Sequence, residues 1–333
     1  MQYSVIIVNY KTPQLVVDCV SSIKKGTCNN MEIIVVDNKS GDGSRETILT
    51  AYPDIIWIDM GYNSGFARAN NAGIKIAKGE IVLLLNADTI NINNAVYKCF
   101  TRLEQDRFVA AGIQLLNTDG TPQISGNYIM KGGLNYLMAL PYIGRFLRAV
   151  ALKSGTKKTN VPHATGTVEV DWVNGAFLMV KKAAIKTAGL LDEDFFLYAE
   201  EAEWCSRLKK TGRLCIYGDL NAIHLEGSSA NKAYGSETKG YQNLSDRKGY
   251  QVMLSNFVRF RKEFGVFWYL FHLAVNLITI PVALIVVLFK TIFLRREINN
   301  EWKEWAGYSA NVWRSLKYFF TIVFNKRYFY KVL

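Results

Sequence analysis

Histidine is nearly absent from this chain, with three in 333 residues. An imidazole with a chemical role has few places to sit, and His224 stands out because polar residues follow it: Glu226, Gly227, Ser228 and Ser229. Cysteine is scarce too. The five (Cys19, Cys28, Cys99, Cys205 and Cys215) are an odd count with no C-x-x-C pair and no metal spacing, which predicts reduced thiols in a cytoplasmic protein. No G-x-G-x-x-G and no G-x-x-x-x-G-K-[ST] follows the first apolar run, so a dinucleotide fold and a P-loop are disfavoured. The opening run, residues 3–9, has no basic segment and no cleavage site, so it is expected to be a core strand rather than a leader.

Acidic charge is depleted in one part of the chain. Residues 240–333 hold 14 Lys and Arg against 5 Asp and Glu, whereas residues 1–239 hold 26 against 23. The net charge of +12 is therefore mainly a property of the tail. Basic charge suits nucleic acid or an anionic membrane surface. This tail is rich in Phe, Trp, Tyr, Leu and Val, so a membrane is the expected partner and nucleic acid is not. Residues 264–289 form a run of 26 positions without a charge, longer than the ~20 apolar residues that cross a bilayer as a helix. The run nevertheless contains His272, Asn276, Thr279 and Pro281. Basic residues flank it on both sides (Arg259, Arg261, Lys262; Lys290, Arg295, Arg296), which gives no orientation. A second aromatic run, residues 318–330, is too short to span. Helices lying in the membrane interface fit as well as one full span. The reading without a membrane is a hydrophobic helical hairpin packed on the catalytic domain or on a second subunit.

The first 90 residues alternate between strand and helix patterns. Residues 3–9, 31–36, 55–58 and 80–85 read as strands, and residues 12–25, 41–51 and 67–77 lead into or form helices. Continuous apolar strands between helices predict a parallel sheet covered on both faces. Ligands of such sheets sit beyond the carboxyl ends of the strands, where Asn9, Asp37 and Asp88 fall. Residues 116–170 are less regular and include a basic amphipathic stretch, residues 134–158, read as an insertion or lid or as an ordinary packed helix. A strand is predicted over 169–180, an acidic helix over about 195–210 with Gly212 as its stop, a short strand over 213–217, and His224 in a turn.

Four elements carry the candidate chemistry. Asp37, with Asn38, can accept from and read the edge of a pyrimidine base, or can cap its own turn. The turn Asn63-Ser64-Gly65-Phe66-Ala67-Arg68-Ala69-Asn70 offers backbone N–H groups and Arg68 to a diphosphate. Asn86-Ala87-Asp88 is the metal candidate: a divalent ion on a diphosphate takes one or two carboxylates plus phosphate and water oxygens. His224 as a further ligand would favour Mn²⁺ over Mg²⁺. On the acidic helix, Glu203 and Arg207 sit at i, i+4 and are expected to pair. Glu200 and Glu201 point about 100° apart, and their crowding raises a carboxyl pKa, which suits a general base.

The ordered set resembles the family 2 glycosyltransferases of the inverting GT-A type, and within them the bacterial rhamnosyltransferase-like group. The resemblance covers about residues 1–260. It rests on Val5-Ile6-Ile7-Val8-Asn9-Tyr10, on Val36-Asp37-Asn38-Lys39-Ser40, on Asn63-Ser64-Gly65-Phe66-Ala67 and on Leu84-Leu85-Asn86-Ala87-Asp88-Thr89. It continues in Trp172-Val173-Asn174-Gly175-Ala176, in Tyr198-Ala199-Glu200-Glu201-Ala202-Glu203-Trp204, and in His224 with Gly227 and Ser229. The resemblance implies an α/β GT-A (Rossmann-like) nucleotide-diphospho-sugar transferase domain over residues 1–260. A membrane-associating hydrophobic helical tail follows over 261–333. It implies a nucleotide-diphosphate sugar bound by Asn9, Asp37, Asn38, Asn63, Gly65, Arg68, Asn70, Asn86 and Ala87. The divalent metal, Mn²⁺ or Mg²⁺, would sit at Asp88 and His224, and Trp172, Gly175 and Ala176 would lie on the acceptor side. Asn86 replaces the first acid of the family's DxD element, and Glu200-Glu201 stand where the family has Glu-Asp, the second being the base. The implied reaction is inverting transfer from a dTDP-rhamnose or UDP-sugar donor to a lipid-linked or glycan acceptor, on the cytoplasmic face of the cell membrane, in polysaccharide biosynthesis. Two other readings compete. A sugar nucleotidylyltransferase needs a glycine-rich basic loop where Asn9-Tyr10-Lys11-Thr12-Pro13 stands. An inactive nucleotide-sugar-binding scaffold is supported by Asn86 alone.

Overall fold

Strand β1 (Tyr3–Asn9) is apolar on both faces, and the sheet uses both. It pairs in parallel with β2 (Met31–Asp37) on one side and β4 (Ile81–Asn86) on the other, and β2 pairs in parallel with β3 (Ile56–Asp59). Helices α1 (Pro13–Lys24), α2 (Ser44–Ala51) and α3 (Gly65–Ile76) make the crossovers that parallel neighbours require. Alternate residues feed two cores. Val5, Ile7, Val35, Leu83 and Leu85 pack with Val16, Cys19 and Val20 of α1 and with Phe100 of α4 (Ala95–Gln105). Ile6, Ile34, Val36, Val82 and Leu84 pack on the other face with Ala67 and Ile74 of α3. Each such buried Val, Leu or Ile contributes roughly 1.5–3 kcal/mol.

The computed structural model of the protein describes residues 2–26, 30–153, 158–225, 234–236, 243–294 and 299–332. Cys28, Glu226, Gly227, Ser228, Ser229, Arg295 and Arg296 lie outside the described residues. The remaining strands are β5 (Thr89–Asn91), β6 (Ala110–Leu116), β7 (Gly126–Asn127), β8 (Asn160–Val161), β9 (Thr167–Val170), β10 (Trp172–Val173), β11 (Phe177–Lys181) and β12 (Leu214–His224). Among the described residues the main sheet runs β3-β2-β1-β4-β11-β6-β12-β5, with β9 on β12. It is mixed rather than all parallel, because β11 is antiparallel to β4 and β6, and β5 and β9 are antiparallel to β12. A small second sheet joins β10, β7 and β8.

Three elements differ from their sequence pattern. The strand expected over 169–180 is broken into β9, β10 and β11, with a turn at Asn174-Gly175-Ala176. β12 is 11 residues long rather than five, and His224 is its last residue, opposite Thr89, rather than part of a turn. The acidic helix α7 (Glu200–Leu208), which follows α6 (Lys182–Ala188), starts at Glu200, since Tyr198 and Ala199 take φ +71 and +66 and cannot be helical.

The chain forms two compact units. One comprises residues 1–128, 160–196 and 200–229, and the other residues 129–159, 197–199 and 230–333. The division does not follow the boundary expected at residue 260. Helix α8 (Arg247–Phe264) runs through that position and buries Val252, Leu254, Phe257 and Phe260. Phe260 stacks on His272 of α9 (Val266–Leu294), ring centroids 3.9 Å apart. The basic stretch over 134–158 becomes a 3₁₀ segment (Lys131–Ala139) and, within the described residues, helix α5 (Ile143–Lys153); both belong to this second unit. Helices α10 (Asn299–Ser315) and α11 (Phe319–Val323) complete it.

Candidate active site

The carboxyl ends of β1 and β2 are held by one hydrogen-bonded knot. Asn9 and Asp37 are register partners, and Asn9 Nδ2 donates to Asp37 Oδ1 at 2.7 Å and to Ser40 Oγ at 3.0 Å. Asp37 also accepts from the Ser40 amide at 2.9 Å and the Ser40 hydroxyl at 2.5 Å. Asp37 therefore holds its own turn, and its carboxylate is buried at the strand end. Lys11 and Lys39 flank the knot in the left-handed region, φ +58 and +62. Such conformations cost roughly 1–3 kcal/mol each and persist where the surroundings impose them, often at functional sites.

Asn38 joins this knot to the next motif. Its Oδ1 accepts from the amide and hydroxyl of Ser64 at 3.0 and 2.6 Å, and its Nδ2 donates to the Gly65 carbonyl at 3.0 Å. Both ends of the amide are engaged, so Asn38 positions the start of α3 rather than offering an unused edge to a base. Asn63 Oδ1 accepts from the Gly65 amide at 3.3 Å. Gly65 takes φ +74, and a Cβ there would stand 2.2 Å from the Phe196 carbonyl oxygen, so any side chain would be strained and would force that backbone to shift. Arg68 Nε donates to the Glu193 carbonyl at 2.9 Å, which ties the guanidinium to the segment before α7. Asn70 is buried and donates to the Phe66 carbonyl of its own helix at 2.9 Å. Asn71 binds the Leu191 carbonyl and amide at 2.9 and 3.0 Å. The polar turn is thus fastened at both ends, one to β2 and the other to residues 191–196.

The end of β4 lies beside β1, with Val8 opposite Asn86. Ala87 is buried in the core, so only its backbone can meet a ligand. Asp88 and His224 are both buried, and His224 Nε2 stands 3.4 Å from Asp88 Oδ1 and 3.4 Å from Asn86 Nδ2. On the far side of the ring, His224 Nδ1 lies 3.0 Å from Gln123 Oε1, while Gln123 Nε2 donates to the His224 carbonyl at 2.8 Å. An amide oxygen can only accept, so it places the proton of a neutral ring on Nδ1 and leaves a lone pair on Nε2 facing the carboxylate. In that tautomer Nε2 can accept from Asn86 Nδ2, or can join the Asp88 carboxylate as a ligand to a cation. Two neighbouring ligands of an ion with bonds of about 2.1 Å stand roughly 3 Å apart, close to the observed separation. The Gln123 contact is the outer hydrogen bond that metal-binding histidines use to fix ring orientation. Among the described residues no group of three or more His, Cys, Asp or Glu can hold a metal, so a bound ion would draw its other ligands from phosphate and water.

The turn between β10 and β11 connects this strand end to the acidic pair. Asn174 Oδ1 accepts the Ala176 amide at 2.9 Å, and the Ala176 carbonyl accepts the Asn86 amide at 3.1 Å. Gly175 lies against Glu201: a Cβ on Gly175 would stand 3.3 Å from Glu201 Cγ. Trp172 sits in β10 and packs on the α3 face of the sheet, its Nε1 buried and without a hydrogen-bond partner. Glu200 and Glu201 are both buried at the start of α7. Burial, followed by the charge of Glu201, holds the Glu200 carboxyl well above the usual carboxylate range, and Glu200 Oε2 has no hydrogen-bond partner. Glu203 does pair with Arg207, by two bonds of 2.7 Å. The cysteines Cys19, Cys99, Cys205 and Cys215 are free and buried; burial pushes the Cys215 thiol up to about 12.

Sequence reasoning missed Gln123, Ser40 and Ser64. Gln123 and Ser64 act on partners 101 and 26 positions away, and Ser40 ties Asp37, three residues before it, to Asn9, 31 positions away.

A family profile described as glycosyl transferase family 2 matches residues 4–167. The low-salt glycan biosynthesis hexosyltransferase Agl10 of Haloferax volcanii is 29% identical over 216 residues, 62% of this chain and 61% of that protein. The poly-beta-1,6-N-acetyl-D-glucosamine synthase of Staphylococcus aureus is 25% identical over 202 residues, 60% of this chain and 44% of that protein. The chain thus spans 61% and 44% of the length of these two curated relatives. Among solved structures, the mannosyltransferase PcManGT from Pyrobaculum calidifontis, in complex with GDP-Man and Mn²⁺, superposes with TM-score 0.52 at 14% identity. That superposition covers 95% of this chain and 87% of the other. GalNAc-T7 with UDP, GalNAc and Mn²⁺ gives TM-score 0.50 at 15% identity over 67% of this chain and 43% of the other. At these identities the likeness is one of fold. The profile match, the mixed α/β sheet and the ordered strand-end motifs agree: residues 4–167 match glycosyl transferase family 2, and the chain has a GT-A fold.

Proposed function

We propose that the protein is an inverting glycosyltransferase. It moves a sugar from a nucleotide-diphosphate donor, dTDP-rhamnose or a UDP-sugar, to a hydroxyl of a lipid-linked glycan acceptor in cell-surface polysaccharide synthesis. The observation that carries this reading is the Asn174–Ala176 turn. Ala176 holds the Asn86 strand end and Gly175 supports Glu201, so candidate metal site and candidate base share one backbone support. The relatives agree with the class: one is a hexosyltransferase of glycan biosynthesis and another a polysaccharide synthase. The two solved neighbours hold a nucleotide or nucleotide sugar with Mn²⁺.

In this reading Asp37 and Asn9 border the base of the donor nucleotide, and the α3 turn with Arg68 borders its diphosphate. Asp88 and His224 would hold a divalent ion, Mn²⁺ or Mg²⁺, which supplies positive charge to the departing diphosphate. Glu201 takes the proton of the acceptor hydroxyl. That oxygen attacks the anomeric carbon from the face opposite the diphosphate. The bond from carbon to the phosphate oxygen breaks, its electron pair leaves with the nucleoside diphosphate, and the configuration inverts. Burial and the charge of Glu201 favour the protonated form of Glu200, which makes Glu201 the better candidate for the base. The basic apolar C-terminal segment is consistent with work on a lipid-linked acceptor at the cytoplasmic face of the cell membrane.

A donor screen tests the proposal. Detergent-purified protein is assayed with Mn²⁺ and with Mg²⁺ for release of UDP, dTDP and GDP from a panel of sugar nucleotides, with and without membrane lipid extract. Metal-dependent release from one donor, lost in Glu201→Gln, is the expected result. Nucleotide binding without release under any of these conditions would replace the proposal with an inactive binding scaffold, the reading that Asn86 in place of an acid supports.

A further inference from the structure

Helix α9 is built inside out. Its polar residues His272, Asn276 and Thr279 are buried within the second unit. His272 Nε2 stands 2.7 Å from the Gly132 carbonyl, and Asn276 Oδ1 accepts from the Tyr308 hydroxyl at 2.9 Å. Thr279 Oγ1 donates to the Val275 carbonyl at 2.8 Å. The opposite face is apolar and exposed at Phe267, Leu270, Ile278, Ile285, Leu288, Phe289 and Ile292, with Ile278 58% and Ile285 65% exposed. These positions recur every three or four residues or at twice that spacing, so they form one stripe along the helix. A stripe of that length is too large to be left in water without a partner.

Length alone would let α9 cross a bilayer, since residues Val266–Phe293 are apolar enough over 28 positions. The packing of α10 argues against it. α10 runs antiparallel along α9: Tyr308 meets Asn276, Trp305 Nε1 donates to the Ile280 carbonyl at 3.0 Å, and Glu301 meets Lys290 at 3.0 Å. Ile280 is at the middle of α9, and the α10 residues beside Trp305 at that level, Lys303 and Glu304, are exposed charges. A crossing α9 would carry them to the depth of the bilayer centre, where exposed charge is strongly disfavoured. A helix lying in the plane sinks its stripe to the acyl boundary and keeps α10 in water.

We infer that α9 docks the protein on an anionic lipid surface, in the plane of the membrane and without crossing it. Charge complementarity selects this occupant over a second protein. Residues 240–333 carry 14 Lys and Arg against 5 Asp and Glu. Helix α5 of the same unit repeats the pattern, with exposed Phe146 and Val150 among exposed Arg145 and Arg148. The start of α5 is tied to α9 and α10, for the Tyr142 hydroxyl donates to Glu301 at 3.0 Å and Lys290 lies 5.0 Å over the Tyr142 ring. The inference deepens the membrane part of the proposed function and needs no enzymatic readout, so it stands or falls separately from catalysis.

The test uses the full chain. Flotation with preformed phosphatidylglycerol–phosphatidylcholine vesicles is compared with phosphatidylcholine alone, and membranes of expressing cells are washed in alkaline carbonate. The expected results are binding at least about tenfold stronger to the anionic vesicles and release by carbonate. Ile278→Glu with Ile285→Glu weakens binding by about tenfold or more at unchanged thermal midpoint. In a Cys28→Ser background, Lys303→Cys reacts with an impermeant maleimide equally fast free and vesicle-bound. No flotation with either lipid overturns the inference. So does carbonate-resistant protein with Lys303→Cys shielded, which would mean a spanning helix, or salt-independent pairing of two copies through the stripe.

Discussion

A Cβ on Gly175 would stand 3.3 Å from Cγ and 3.4 Å from Cβ of Glu201, so the Glu201 side chain rests directly on the turn that holds the end of β4. Any methyl there must displace Glu201 by a few tenths of an ångström or more. Small misplacements of a reacting group cost rate far more than stability. Gly175→Ala is expected to lower kcat by about tenfold to a hundredfold, with a thermal midpoint within about 2 °C of the parent. Equal loss of both would mean that the turn supports the fold rather than the base.

Glu200 and Glu201 should separate by pH. A carboxyl whose folded pKa is raised binds more protons in the folded state. Its contribution to stability is complete below the unfolded value of about 4.3 and is lost as pH rises toward the raised folded value. Above the usual carboxylate range, Glu200 therefore destabilises the fold. Glu200→Gln keeps the shape of a neutral acid and removes that cost. It is expected to raise the thermal midpoint at pH 7.5 by roughly 2 °C or more, with the gain vanishing near pH 4. Turnover should stay within about threefold of the parent. Glu201→Gln should instead lower turnover by about a hundredfold to ten-thousandfold. The reverse ranking would assign the base to Glu200.

The strand ends were legible in the sequence because they are local. An apolar β-branched run that stops at Asn9, Asp37 or Asn86 states where a strand meets solvent, and a parallel sheet puts those ends on one edge. The pairing of Glu203 with Arg207 was legible for the same reason, being set by helix geometry alone. What stayed hidden depends on which partner, distant or local, each group takes in the fold. Asn38 and Asn70 carry polar groups that look available for a ligand, yet Asn38 is engaged by Ser64 and Gly65, and Asn70 bonds back within α3. The length of β12 follows from its pairing with β6, β9 and β5, not from its own composition. The start of α7 is set by two left-handed residues, Tyr198 and Ala199, types that ordinarily give no such signal.

Gln123 is 101 positions from His224 and still fixes its ring. If the Asp88–His224 pair holds a cation, Gln123→Ala should weaken the apparent affinity for Mn²⁺ by about tenfold to a hundredfold, the usual cost of losing an outer hydrogen bond. Mn²⁺ titration followed by calorimetry in the presence of nucleoside diphosphate reads this without turnover. Asp88→Asn should lose more than Gln123→Ala. Unchanged affinity in both variants would remove the metal from this strand end.

Gly65 tests whether the α3 turn is a scaffold or a surface. Its φ of +74 is strained for any residue with a Cβ, and the Phe196 carbonyl oxygen occupies the place that Cβ would take, at 2.2 Å. The obstacle is backbone, and that backbone also accepts the Phe66 amide at 2.8 Å, so it cannot yield without breaking the bond. Gly65→Ala should therefore combine left-handed strain with a lost or displaced hydrogen bond, about 2–4 kcal/mol together. Urea unfolding would show a lower midpoint at unchanged slope. Gly41→Ala is the control: its φ is +61 but nothing lies within 4 Å of the added Cβ, so only the strain, about 1–2 kcal/mol, should appear. Equal losses in the two variants would show that Phe196 moves freely. The segment leading into α7 would then not be fastened to the turn, and the support that this contact gives to the placement of Glu200 and Glu201 would fall with it.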